Sequence, residues 1–152
     1  MALGVAGITA SVQSHAAALG LFEVVTLHEP KSKPANGLTC AIWADKIGPA
    51  SGSSGLASTS ALVVMAVRLY TSMLQQPYDA IDSDMLTAVD ALMGAYSAAF
   101  TLEGQVREVD LLGEFGTPLS AQAGYINQDG KLFRVMTISL PLVVNDLWGQ
   151  QP

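Results

Sequence analysis

A chain of 152 residues, half of them hydrophobic, 13% charged and with net charge −6, is long enough for one core, yet no window reaches the roughly 18 uncharged apolar positions of a spanning helix. Seven Lys and Arg against thirteen Asp and Glu are the wrong balance for gripping phosphate backbones over a broad face, which disfavours electrostatic nucleic-acid binding. The lone Cys40 permits neither an internal disulfide nor a cysteine metal cluster, in keeping with a reducing compartment.

The N-terminal stretch "MALGVAGITASVQSHAAALGLF" has no basic n-region and places Gln13, Ser14 and His15 where a signal peptide would be apolar, so cytoplasmic synthesis is expected. Within it Val5, Ile8, Val12, His15 or Ala16, and Leu19 recur at helical spacing, and Gly20 can end the helix. A short strand follows in "FEVVTLH", then a turn cluster in "KSKPANG". The next strand, "LTCAIWADKI", puts Cys40, Ile42 and Ala44 on one face and Ala41, Trp43 and Ile47 on the other. The glycine and serine of "GPASGSSG", Gly48 to Gly55, cannot bury enough apolar area to offset their ordering entropy, so a mobile tip is expected. Immediately after it, "STSALVVMAVRLYTSM" is apolar on both faces, as a strand covered on both sides would be, and completes a long β-hairpin.

Pro77 breaks that strand, and Asp82 or Ser83 offers an N-cap to a second helix, with Asp84 in its first turn. The helix runs to about Phe100 on a stripe of Ile81, Met85, Leu86, Val89, Leu92, Met93, Tyr96 and Phe100. Alternation in "QVREVDLL" gives a modest strand. Between Met73 and Gly116 lie Asp79, Asp82, Asp84, Asp90, Glu103, Glu108, Asp110 and Glu114, opposed only by Arg107. They read as a solvated face or as an anionic surface that repels DNA. No internal repeat breaks residues 1–152, so the expectation is one α+β domain: a mostly antiparallel sheet with a long β-hairpin, packed by two helices.

Asp129-Gly130 between alternating segments predicts a two-residue hairpin. That turn pairs Gln128 with Lys131, Ile126 with Phe133, Tyr125 with Arg134, Ala123 with Met136 and Ala121 with Ile138. One face collects Leu119, Ala121, Ala123, Tyr125, Arg134, Met136, Ile138 and Leu140 as the core side, since a one-residue slip would bury Ser120, Gln122, Thr137 and Ser139. Pro118 falls opposite Pro141, where the ladder should end. On the other face Ile126, Phe133 and Val135 form an apolar tip, either covered by the first helix or long hairpin or left for a partner. Beyond Pro141, "LVVNDLW" loses its hairpin partner and must pair with "QVREVDLL" or with an adjacent chain.

Catalytic signals are sparse. The chain has no GxSxG, GxxxxGK[ST], HExxH or paired-cysteine motif. His15 reads as a satisfied core or interface histidine, His28 beside Glu29 lacks a third convergent group, and Cys40 reads as packing. Asp82, Asp84 and Asp90 could form an acid pair, but capping explains the first two as well.

The run from Gln76 to Trp148 resembles the tail terminator proteins of long-tailed bacteriophages (siphoviruses), especially those infecting actinobacteria. "DAID", "LMGAYS", "VREVDLLG", "AGY", "KLFRVM" and "LPLVVNDLW" carry the resemblance, about half the chain. It implies a virion structural protein, assembled in the host cytoplasm, that forms a homo-oligomeric ring, commonly hexameric, on the head-proximal end of the tail tube. Such a ring ends tube polymerisation, provides the head-tail joining surface, and lets DNA pass without specific binding. Its partners would be further copies of itself, the tail tube protein and head-tail connector proteins, with no membrane, cofactor, metal or enzymatic activity implied. On that reading Ile126, Phe133, Val135, Leu142, Val143, Val144, Leu147 and Trp148 contribute subunit contacts. Gly48, Pro49, Ser51, Gly52, Ser53, Ser54 and Gly55 contact the tube. Another head-tail adaptor, the tube protein itself, or a small enzyme or ligand-binding domain are the alternatives.

Overall fold

The computed structural model describes residues 5–22, 24–27, 38–49, 59–72, 80–98, 101–102, 106–113, 117–128 and 130–147. In chain order these form α1 (Val5–Ala18), β1 (Val24–Thr26), β2 (Thr39–Pro49), β3 (Thr59–Ser72), α2 (Ala80–Ala98), β4 (Glu108–Val109), β5 (Ser120–Gln128) and β6 (Lys131–Leu147). The strands make one sheet in the order β1-β2-β3-β6-β4, with β5 also paired to β6. Among the described residues the β1–β2 pair is parallel and the other pairs are antiparallel. This is the expected α+β class: a mostly antiparallel sheet with two helices.

The core lies between the helices and one sheet face. Ile8, Val12 and Ala16 of α1 and Met85, Ala88, Val89, Leu92 and Tyr96 of α2 join Cys40, Ile42, Val63, Met65, Val67, Leu69, Met136, Ile138, Leu140 and Leu142 in one buried cluster. The strand members alternate at period two and the helix members at three and four, which is how both element types present one apolar face. Gly20 closes α1 in the left-handed region at φ 67°, where a side chain would be strained. The chain reaches the same region again at Leu102 (φ 46°), whose side chain is fully buried and whose carbonyl accepts from Ser11 Oγ at 3.4 Å.

β3 is the central strand, paired with β2 on one side and β6 on the other, which accounts for its apolar residues on both faces. The final hairpin has the expected register from Gln128↔Lys131 to Ser120↔Ser139, with Gly130 at φ 78° in its turn. Its β5 ladder stops just short of the Pro118–Pro141 level.

Several expectations are corrected. α2 starts at Ala80, so Asp82 and Ser83 lie inside its first turn instead of capping it. Leu86 is 56% exposed and the small Ala88 takes the buried place, because a helix turns about 100° between Met85 and Leu86 and carries the latter off the stripe. β2 has a bulge between Ala44 and Lys46 that sets Ile47 opposite Val63, so Ile47 shares the face of Cys40 and Ile42 and not that of Trp43. Gly48 and Pro49 continue β2 opposite Leu62 and Ala61, so the glycine-serine tip is shorter than Gly48–Gly55; its remainder lies outside the described residues. In "QVREVDLL" only Glu108–Val109 is strand, and Val106 and Val109 are both buried, a spacing that strict alternation forbids.

The apolar arm pairs with the "QVREVDLL" segment, as β4, one of its two expected partners, and on its other side with β3. β6 runs straight through Pro141, and Leu142 lies between Val63 of β3 and Val109 of β4, with Val143 between Leu62 and Glu108. The proline is accommodated by where β5 hands over to β4. Pro141 C=O accepts from Asp110 N–H at 3.0 Å, and in an antiparallel ladder a residue's N–H and C=O point the same way. The donor that proline lacks therefore faces the changeover, and the β3 ladder loses nothing.

Candidate assembly surfaces

The residues expected at subunit contacts separate into two groups. Phe133 and Val135 are buried in one cluster with Tyr70 and Ala41, and Trp43 and half-buried Ile126 pack against it. Leu142 and Val143 are fully buried. Ile126 and Val144 keep accessible surface. Leu147 is described only as a backbone partner of Thr59, and Trp148 lies outside the described residues, as do Ser51, Gly52, Ser53, Ser54 and Gly55.

Beyond the reach of the helices the expected core face of the hairpin is open to solvent. Tyr125 is 60% exposed and Leu132 is 48% exposed, and Ala123 is exposed too. The Arg134 guanidinium lies 4.6 Å from the Tyr125 ring centroid and donates to Gly124 C=O at 3.3 Å. Among the described residues nothing pairs with the outer edge of β5, so a nine-residue strand presents free backbone groups beside this patch.

On the opposite sheet face a groove of about 310 Å³ is lined by Arg68, Gln122, Gly124, Ile126, Val135 and Thr137, among others. Arg68 Nε donates to Thr137 Oγ1 at 2.8 Å, and its guanidinium lies 5.1 Å from the Trp43 ring centroid. The groove is thus braced by a cation held against an aromatic face.

Two further features escaped the sequence reading. Leu112 is 86% exposed on the turn after β4, with Leu111 beside it at 41%. That turn is clamped: Asp110 N–H donates to Pro141 C=O, Leu119 N–H donates to Leu111 C=O at 3.3 Å, and Gly113 (φ 76°) packs so close to Pro118 that a Cβ there would sit 2.9 Å from its nitrogen. The punctuation by Gly113 and Pro118 was the available signal for a turn, but nothing in the letters said which side of Leu112 would face water. The second feature is a hollow of about 230 Å³ between α2 and the start of β2, lined by Leu21, Leu38, Thr71, Asp84, Thr87 and Ala88.

Among the described residues the chemistry-bearing side chains do not converge. His15 Nδ1 donates to Ser11 C=O at 2.8 Å, and its ring lies 6.1 Å from that of Tyr96. The Cys40 thiol is fully buried, and that burial pushes its pKa up to about 12. Asp84 and Asp90 are exposed on α2, whereas Asp110 is buried on the far side of β6. His28 lies outside the described residues. Among the described residues no three His, Cys, Asp or Glu side chains are grouped as a metal site, and no helix is long and apolar enough to cross a membrane.

No family model and no curated protein matches the chain. Among solved structures it is similar to a chain of the virion of a native gene transfer agent particle, at 14% identity and a TM-score of 0.43, over 95% of this chain and 99% of that one.

Proposed function

We propose that the protein is a ring-forming tail terminator: a hexamer that caps the head-proximal end of a phage tail tube, ends its polymerisation and presents a surface to the head connector. Its work is cohesive and steric, not catalytic. The observation that carries the self-association is the open β5 edge with Tyr125 and Leu132 exposed beside it, a combination of free backbone groups and apolar surface that favours pairing with another chain. The resemblance of Gln76–Trp148 to tail terminators gives that association its place in the virion. Ile126 and Val144, which keep accessible surface, and Leu147 and Trp148 at the end of the arm are the assigned subunit contacts, and the segment around Ser51–Gly55 is assigned to the tube.

Truncation after Val144 keeps the fully buried Leu142 and Val143 and should weaken the ring while sparing the folded monomer, as read by size-exclusion chromatography with light scattering. An undiminished ring would remove the arm's end from the interface. Deleting Ser51–Gly55 should spare the ring and lengthen tails seen by electron microscopy; tails of normal length would sink the tube contact. A tube subunit, unlike a terminator, would polymerise on its own at high concentration.

A further inference from the structure

Five strands share one level of the sheet. Val25 of β1 pairs with Cys40, Cys40 with Leu69, Leu69 with Met136 and Met136 with Ala123, so β1 and β5 are the two outer edges of one band. Along it β1, β2 and β6 run one way and β3 and β5 the other, because the β1–β2 pair is parallel and the other pairs in the band are antiparallel. The two edges therefore run in opposite senses. A second copy set beside the first without being turned over meets it as an antiparallel pair.

The backbone groups at the two edges match as well. Pro141 and Val143 direct their carbonyls to the β4 side of β6, and alternate residues of a strand point the same way, so Thr137 and Val135 bond towards β5. Their partners Gln122 and Gly124 face β6, which leaves Ala121, Ala123 and Tyr125 with N–H and C=O directed out of the sheet. Carried the other way across the band, the same alternation turns Cys40 towards β1, where it bonds the residues flanking its partner, and turns Val25 outward. The side chain of Gln13 agrees with that direction, its Nε2 donating to Val25 C=O at a long 3.4 Å. Among the described residues no strand lies outside β1 or β5. The β5 edge also carries no charge, proline or register shift, the devices that keep an exposed edge from pairing, and its unused donors and acceptors select an extended strand as partner.

Resting on the ring reading, we propose that β5 of one copy pairs antiparallel with β1 of the next, so that the sheet continues from subunit to subunit. Ala123 and Val25, level with each other and both directed outward, form the doubly bonded pair, with Ala123 N–H taking the place of Gln13 on the Val25 carbonyl. Ala121 then lies opposite Leu27, which is 44% exposed, so a small side chain meets a large one at both positions. Pairing β5 with a second β5 would close a two-fold dimer and go no further. Pairing β5 with β1 joins different edges and repeats head to tail, as a ring requires.

The test uses the full chain, with and without tail tubes. In this contact Gln122 and Thr26 fall opposite each other as a non-bonded pair, whose Cα atoms lie about 4.5 Å apart, within disulfide reach. Within one chain they share a row but stand four strand spacings apart, roughly 19 Å. On oxidation, the Gln122→Cys, Thr26→Cys double variant should give a ladder of covalent oligomers up to the closed ring, while neither single variant should. Cys40 is buried and does not compete. Ala123→Pro removes the outward donor and should raise the concentration needed for assembly about tenfold, whereas Ala123→Val keeps the donor and should assemble at the wild-type concentration. If the wild type forms rings but the double variant gives no ladder and Ala123→Pro assembles normally, this pairing is overturned and the ring reading stands. Covalent dimers from Gln122→Cys alone would mean β5 against β5 and also overturn it. A wild type that stays monomeric in both conditions, with no ladder, would sink both.

Discussion

The Tyr96 hydroxyl donates to the Val12 main-chain carbonyl at 3.0 Å, tying α2 to α1 inside the buried layer. Tyr96 is fully buried, so the bond also settles a polar atom that would otherwise be stranded in the core. Tyr96→Phe should lower the unfolding free energy by about 1 kcal/mol, since Val12 keeps its helical partner and the ring still fills its space. Urea denaturation should show a lower midpoint at an unchanged slope.

Burial raises the Cys40 thiol from 9.0 to about 12, and burial, followed by the Cys40 charge, raises Tyr96 as well. Above pH 9 the unfolded chain gives up a thiol proton that the folded chain retains. The stabilising contribution is therefore complete below that pH and is lost as pH rises towards about 12. Stability should fall by up to about 1.4 kcal/mol per pH unit in that window. Cys40→Ala should flatten the first part of the fall, leaving a Tyr96-dependent loss above about pH 10. Denaturation curves between pH 8 and 11 measure both.

Gly113 combines φ 76° with a would-be Cβ 2.9 Å from Pro118 N and 3.2 Å from its Cα. Gly113→Ala should therefore cost about 2 kcal/mol or more, because backbone and not a flexible side chain would have to move. Thermal unfolding reads the loss. Gly94→Ala, with open space around it, should leave thermal unfolding nearly unchanged.

Leu142 and Ile126 were both expected at subunit contacts, and the fold treats them differently. Leu142 is fully buried in the main core, so Leu142→Ala should cost roughly 2–5 kcal/mol in the monomer. Ile126→Ala, at a half-buried site, should cost clearly less in monomer stability and more in assembly. Parallel denaturation and sedimentation of the two variants separates the effects.

Much of the sheet was legible because local rules suffice for it. Asp129-Gly130 fixed the β5–β6 register, since a two-residue turn leaves no slack, and apolar residues on both faces of β3 marked a central strand. The arm "LVVNDLW" pairs with "QVREVDLL", one of its two expected partners, but its continued pairing with β3 rests on geometry that no letter carries. The β5 ladder ends beside Pro141, as the paired prolines predict, but the missing donor falls where β5 gives way to β4, and only the arrangement of three other strands lets β6 continue through that position.

The same division runs through the candidate surfaces. Periodicity by itself determined which residues share a face, as with Tyr125, Arg134 and Met136 along the final hairpin. How far the helix layer extends over that face was decided by the tertiary structure: it buries Ile138 and Leu140 and leaves Tyr125 in solvent. Parity is a property of the local backbone, set by one residue's dihedral angles and the next. Coverage depends on the lengths and placement of elements far apart in the chain, and for that reason the exposure of Leu112 and the hollow beside α2 emerge only once the chain has folded.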